Sequence, residues 1–279
     1  MEKTFYSKSE PYFACVERGV RGFSYRDYEI APHSHAFYEI NIVQAGKGTH
    51  IIEDHHFPVR AGAVFVIPPE TVHAYENDGG LEVYHLLLHP RFFAEYIPNY
   101  NEIAGMAMLM EIEPFFRKNG ASYFLRLTGA QLLTLQNDLE VLTDGGEYDF
   151  EGSDSLKRYT ALKILYHWAH LLQEQRYLQG FPQEQENAVF KALEYIHNNY
   201  AEKITVKTLC EHTFLSRSTF LRYFFAVCGC SPLEYLRAYR IKRARELFSL
   251  GKMGKTEVAH ACGFYDLSHM NRELKRAKL

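Results

Sequence analysis

With 279 residues the chain is long for one domain and comfortable for two, since domains cluster at about 100 to 150 residues. A composition of 47% hydrophobic and 23% charged residues, with 20 Tyr and 20 Phe, excludes a disordered chain. The formal net charge of -3 hides an asymmetry: residues 183–279 hold 16 Lys and Arg against 10 Asp and Glu, leaving 15 against 24 for residues 1–182, so a polyanion partner is expected for the C-terminal part only.

The first segment, "MEKTFYSKSEPYFACVERG", carries charges throughout and lacks the apolar block of a secretion signal. No apolar run approaches the roughly 20 residues needed to span a bilayer. The five cysteines, Cys15, Cys210, Cys228, Cys230 and Cys262, form an odd set without C-x-x-C pairs, which argues against a disulfide framework or a zinc finger. The reading is a cytoplasmic protein with reduced thiols and no membrane partner.

Residues 20–90 are predicted to form short strands, "YRDYEIAP", "FYEINIVQ", "GTHIIED", "AVFVIPP" and "LEVYHLLLH", separated by turn residues. Such spacing implies a small antiparallel barrel or sandwich. Within "PHSHAFYEINIVQAG" two imidazoles and a carboxylate, His33, His35 and Glu39, are spaced so that strand alternation points them, with Phe37, to one face and Ile40 and Ile42 to the other. Arg21, Tyr25 and Tyr75 are further candidate pocket liners. His50, His55 and His56 fall outside this set, in the hairpin "GTHIIEDHHFP", where Asp54 followed by two histidines reads as surface.

Together with "GAVFVIPPETVHAYEN", which supplies Gly62, Pro68, His73 and Asn77, this stretch resembles the paired cupin motifs, with Gly46 closing the first and Glu70 standing where the second has its middle glycine. The resemblance implies that His33, His35, Glu39 and His73 are the positions that ligate metal in metal-binding cupins. Three neutral imidazoles and a carboxylate suit Fe(II), Mn(II), Ni(II) or Zn(II), with positions open for substrate. A lone cupin of this kind would be a dioxygenase or an isomerase.

From Thr128, "TGAQLLTLQNDLEVLTDGG" places Leu132, Leu135, Leu139 and Leu142 at helical spacing and stops at Gly145 and Gly146. "SDSLKRYTALKILYHWAHLLQEQRYL" follows with Leu156, Tyr159, Leu162, Leu165, Trp168 and Leu172 on one broad face. The pair forms a hairpin whose surplus apolar positions suit a dimer seam. "GFPQEQE", residues 180–186, is predicted to be a linker.

Beyond it, "AVFKALEYIHNN" makes a helix, Thr205 caps "VKTLCEHT", and Ser216 caps "RSTFLRYFFAVCG". With Phe220 and Phe224 buried four apart, this is helix-turn-helix layout. Arg217, Ser218, Leu221 and Arg222 face away from them, free to enter a major groove. A helix from Pro232 through "LEYLRAYRIKRARELFSL" runs roughly 28 Å. "TEVAHACGFYDLSHMNRELKR" then repeats the layout, with Gly263 at the turn and Asp266 as cap. Two recognition helices thus sit at the ends of a rod, and major grooves on one DNA face recur about every 34 Å.

"LSRSTFLRYFFAVCGCSPLEYLRAYRIKRARELF" followed by "EVAHACGFYDLSHMNREL" resembles the DNA-binding domain of AraC/XylS-type transcriptional regulators. The resemblance implies groove contacts from Ser218, Leu221 and Arg222 in the first motif and from Leu267, Ser268, Asn271 and Arg272 in the second, with Arg217 and Lys275 on phosphates. Three positions depart from it: Met270 and Leu274 replace phenylalanine, and Lys255 replaces an apolar residue. The sequence also reaches "KRAKL" before the closing G-x-x-P-x-x-Y-R helix, whose counterpart in the first motif is Gly229, Pro232, Tyr235 and Arg240. A less stable second motif is therefore expected.

Sensor domains of such regulators are cupin-like, and their cavity binds an effector with histidines as hydrogen-bond partners. On this chain His33, His35, Glu39 and His73 accordingly read as effector contacts, as metal ligands, or as packed structural residues. The expected fold is multidomain α+β: a cupin-like β-barrel over 1–100, a helical dimerisation and linker region over 101–179, the linker 180–186, and an all-α double helix-turn-helix domain over 187–279. The expected function is effector-controlled, sequence-specific DNA binding in transcription, with double-stranded DNA, a small-molecule effector and a second copy as partners, and RNA polymerase if the protein activates. The alternative is a cupin metalloenzyme with an accessory helical domain.

Overall fold

The computed structural model describes residues 4–6, 19–97, 103, 105–118, 120, 125–179 and 184–276. The chain divides into two compact units, Met1–Phe93 with Ile103–Gln175, and Ala94–Glu102 with Arg176–Leu279.

The first unit holds β1 (Thr4–Tyr6), β2 (Val20–Tyr25), β3 (Ile30–His35), β4 (Tyr38–Ile52), β5 (His55–Arg60), β6 (Ala63–Ile67), β7 (His73–Leu88) and β8 (Leu125–Arg126). Their order is β1-β3-β7-β4-β6-β8, with β2 on β7 and β5 on β4. All pairs are antiparallel except β1 with β3. The result is the expected cupin-like architecture, with two strands much longer than predicted. "FYEINIVQ" and "GTHIIED" belong to one strand of 15 residues, and "LEVYHLLLH" is the second half of a strand of 16 residues. The pairing of β4 with β7 shifts register between Val43 and Gly48. Gly46 has φ +72°, and a Cβ there would collide with the Gly80 carbonyl, so this crossing requires glycine. "YRDYEIAP" is split instead: Tyr25 ends β2, a turn follows with Asp27 at φ +50°, and Ile30 opens β3.

Alternation along β4 sends Glu39 and Asn41 inward, opposite Leu87 and His85 of β7. Ile40 and Ile42 point the other way and are fully buried. Tyr84, on that outer face, donates from its hydroxyl to the Leu139 carbonyl at 3.0 Å.

α1 (Pro90–Tyr96) follows the strands, and a π-helical turn, Met108–Ile112, runs into α2 (Glu113–Lys118); the turn and α2 were not anticipated. In the predicted hairpin, α3 (Gly129–Leu142) starts with a capping box between Thr128 and Gln131 and buries Leu135, Leu139 and Leu142. α4 (Asp154–Gln179) buries Ala161, Ile164, Leu165, Trp168, Ala169 and Leu172. Leu156 and Tyr159, expected on that face, are 40% and 69% exposed.

The second unit contains α5 (Glu184–Asn199), α6 (Val206–Thr213), α7 (Arg217–Cys228), α8 (Pro232–Leu250), α9 (Lys255–Ala261) and α10 (Leu267–Arg276). Residues 184–186 of the expected linker are the first turn of α5, and residues 180–183 lie outside the described residues. Two expected caps form, with the Thr205 and Ser216 side chains accepting from the backbone amides of Thr208 and Thr219, and Ser231 likewise caps α8 by accepting from Glu234. Phe220 and Phe224 are fully buried, and a second cluster of Ile241, Ala244, Val258, Ala259, Cys262, Phe264 and Met270 closes the second motif. Met270, where the family pattern has phenylalanine, still fills this core. Gly263, at φ +72°, would place a Cβ 2.6 Å from the Ala201 carbonyl oxygen, which only glycine avoids.

Candidate effector cavity and nucleic-acid interface

His33 and His35 stand on β3, the chain turns at Ala36 and Phe37, and Glu39 stands on β4. The three converge, though from two strands that flank β7 rather than along one strand as expected. Glu39 Oε2 lies 2.8 Å from His35 Nε2 and 3.1 Å from His73 Nε2, and its Oε1 lies 2.6 Å from His85 Nδ1. The His33 and His73 rings are 4.1 Å apart.

Backbone carbonyls set the tautomers. The Nδ1 atoms of His33, His35 and His73 lie 3.0, 2.9 and 3.2 Å from the carbonyl oxygens of Ala31, Phe37 and Thr71. A carbonyl only accepts, so each Nδ1–H donates and each neutral ring is left with an Nε2 lone pair. For His35 and His73 that lone pair meets the Glu39 carboxylate. The contact is attractive when a positive charge is present, as a second ring proton or as a cation between ring and carboxylate. This pattern, a ring Nδ1–H on a carbonyl and Nε2 turned inward, is also that of metal-ligating histidines. One ligand atom each from His33, Glu39 and His73 lie within 4.8 Å of one another, so the donor set fits a divalent transition metal by type and spacing.

Burial would raise the Glu39 carboxyl, but the imidazoles of His35, His73 and His85 outweigh it and hold the group well below the usual carboxylate range. Burial, reinforced by the neighbouring His73, lowers His33 to about 4. The floor is therefore an anionic carboxylate ringed by imidazoles, with His33 neutral near pH 7.

Over this floor lies a cavity of about 430 Å³ lined by Phe23, Tyr25, Tyr28, Ile30, Phe37 and Leu87, with Arg26, Asp27 and Glu29 from the β2–β3 turn. Tyr25 takes its predicted place. Arg21 does not: its Nε donates to Asp144 at 2.6 Å, and it is not among the cavity-lining residues. Tyr75 also departs from expectation, standing behind the floor, where its hydroxyl accepts from Asn41 Nδ2 at 3.2 Å. His73 is fully buried behind the cavity wall, against Glu39 and the rings of His33 and His35.

His85 and His50 were not assigned to the site by sequence reasoning. His85 lines the cavity and His50 stacks on Tyr75 at 4.1 Å, fully buried, with no hydrogen-bond partner for either ring nitrogen among the described residues. Burial, then the charges of His73 and Arg117, keeps His50 well below the usual imidazole range. The available signal was parity: His85 faces Asn41 and His50 faces Tyr75 across the long strands. His55 and His56 are exposed, as expected.

In the helical unit Arg217, Ser218 and Arg222 of α7 are exposed and Leu221 is half-buried. On α10, whose first turn is capped by Asp266 accepting from the His269 amide at 2.6 Å, Ser268, Asn271, Arg272 and Lys275 are exposed. Leu267 is half-buried and packs against the core of the second motif. Arg240 donates to the carbonyls of Tyr200 and Glu202 at 2.7 and 2.6 Å, so this α8 residue braces the unit.

Residues 19–123 match the AraC-like ligand binding domain family, and residues 209–278 match a helix-turn-helix domain family. The chain is an AraC/XylS-type transcriptional regulator. Similar curated proteins are the HTH-type transcriptional activator RhaS of Pectobacterium carotovorum subsp. carotovorum, 25% identical over 88% of this chain and 83% of that protein, and RhaS of Escherichia coli, 22% identical over 89% and 84%. Among solved structures, ToxT from Vibrio cholerae is 12% identical, covering 92% of this chain and 94% of that one at a TM-score of 0.34. A cupin protein from Bacteroides fragilis is 19% identical over 25% of this chain and 66% of its own, at a TM-score of 0.24. A ligand-binding barrel joined to a helix-turn-helix domain makes this chain a DNA-binding regulator rather than a cupin enzyme. No helix among the described residues is long and apolar enough to cross a membrane.

Proposed function

We propose that a small molecule bound in the barrel cavity sets the DNA occupancy of the helical unit. The observation that carries this reading is the cavity of about 430 Å³ over Glu39 and its imidazoles, in a chain that also presents two helix-turn-helix motifs. An effector changes occupancy only by binding one arrangement of the regulator better than another. Ser218, Leu221, Arg222, Ser268, Asn271 and Arg272 reach into successive major grooves, and Arg217 and Lys275 hold phosphates. Two copies pair through the outer face of α4, where Leu156, Tyr159 and Tyr166 recur at helical spacing and are 40%, 69% and 47% exposed. The protein works in the cytoplasm, and as an activator, the role of its named relatives, it would engage RNA polymerase. A gel-shift titration on promoter fragments tests the DNA contacts: affinity should fall steeply with salt, and Arg222→Ala should weaken it and reduce the salt slope by about 1. An unchanged slope removes Arg222 from the interface.

The spacing of His33, Glu39 and His73 favours a second reading, a divalent transition metal that His33, His35, Glu39 and His73 would hold. Such an ion would supply a Lewis-acidic anchor for an effector oxygen. A chelator should then lower the melting temperature of the barrel, and an unchanged melt excludes the ion.

A further inference from the structure

We propose that the effector is a small organic cation whose ammonium group sits on the Glu39 floor. The proposal rests on the reading of the barrel as an effector cavity and names the chemistry of what fills it.

The floor offers acceptors. Nδ1 of His33 is committed to the carbonyl of Ala31, so its neutral ring has Nε2 as an acceptor, while Nε2 of His35 meets Glu39 Oε2 at 2.8 Å. His85 donates from Nδ1 to Glu39 Oε1 at 2.6 Å, which leaves its buried Nε2 as an acceptor without a hydrogen-bond partner among the described residues. Glu39 itself only accepts. A ligand complementary to this surface brings donors and positive charge, and an ammonium brings both. A neutral hydroxyl supplies one donor and no charge, and a carboxylate supplies neither donor nor attraction.

The walls select for the same sign. Phe23, Tyr25 and Tyr28 surround the His85 edge of the floor, with ring separations of 5.2 Å for Phe23–His85 and 4.6 Å for Tyr28–His85, and with Tyr25 stacked on Tyr28 at 5.8 Å. Aromatic faces attract cations by their quadrupoles. Asp27 and Glu29 add two carboxylates to the lining against the single cation Arg26, which is 85% exposed and turned to Glu82 at 3.6 Å. A metal ion would be satisfied by the floor alone. The rings and the outer carboxylates extend the same preference through a volume of organic size, about 430 Å³.

The test is thermal melting of the full chain, in the presence of chelator, with butylammonium, butanol, butyrate and glucose as probes, and separately with Zn²⁺ alone without chelator. Butylammonium at about 100 times its Kd should raise the barrel transition by roughly 5 °C, and butanol and butyrate should not. Glu39→Gln should abolish the shift. Tyr25→Ala, at the solvent-exposed end of the cage, should weaken the amine about tenfold and Tyr25→Phe should restore it, which keeps the question answerable should Glu39→Gln fail to fold. A shift with glucose or butyrate but not the amine overturns the cation while leaving the effector reading standing. A shift with Zn²⁺ alone, and none with the amine, overturns it in favour of the ion. Silence from every probe, in a protein that still binds DNA, overturns both this inference and the effector reading.

Discussion

In the helical unit the fully buried side chains include Leu209, Phe220, Phe224, Ala244, Val258 and Met270, with His197, Arg243 and Glu273 buried as well, and the charged ones assigned to DNA, Arg217, Arg222, Arg272 and Lys275, stand in solvent. In the barrel His33, His35, Glu39, Asn41, His50, His73 and His85 are buried instead, and four of their polar atoms have no hydrogen-bond partner among the described residues. Burying polar groups costs stability, more so when they are unpaired. The difference teaches where function lies in each unit: on the surface of the helices, and in the interior of the barrel.

The comparison is sharpened most by Phe224→Ala, which empties a fully buried site in the helical unit and should cost about 3 to 5 kcal/mol. Urea unfolding followed by circular dichroism should show the helical transition moving while the barrel transition stays. Acid should act on the barrel. His33 stays neutral in the folded barrel down to about pH 4 but takes a proton in the unfolded chain below 6.5, so stability falls as pH drops through that window, by roughly 3 kcal/mol in all. Glu39, held below its usual range, contributes stability above pH 4.5 that is lost as pH falls through its folded value. Urea melts of wild type and His33→Gln between pH 7 and pH 4 check this, the variant being the flatter. A barrel transition indifferent to pH would break the comparison.

How much of this was legible in the sequence follows the same division. Thr205, Ser216, Pro232, Gly263 and Asp266 were readable because caps and turns are decided by a few adjacent residues. The barrel depended on pairing across distance. Gly46 fell between two predicted strands, yet it sits inside β4, at the irregular crossing with β7. His33, His35 and Glu39 were brought together correctly but by the wrong route, since the chain turns between His35 and Glu39. His85 reached the site through its register with Asn41, and Arg21 left it through a bond to Asp144, 123 positions along the chain. Neither relation has a local signal.

Smaller effects probe the same contrast. His50 has two unpaired ring nitrogens in the barrel core, so His50→Leu should raise the barrel's stability by about 1 to 2 kcal/mol in urea melts. A loss instead would mean that the ring is held for packing on Tyr75. Ser216→Ala removes the cap of α7 and should cost about 1 kcal/mol, read as a small drop in the helical transition with a matching loss of affinity for promoter DNA.

The division between a sensing barrel and a DNA-binding helical unit is tested most directly by fluorescence anisotropy of a labelled promoter duplex. Wild type and Glu39→Gln are titrated with and without the probe that raises the barrel's melting temperature. The expected result is a probe-induced change in DNA Kd of at least about fivefold in wild type and none in Glu39→Gln. A probe that stabilises the barrel yet leaves the DNA Kd of wild type unchanged would contradict it.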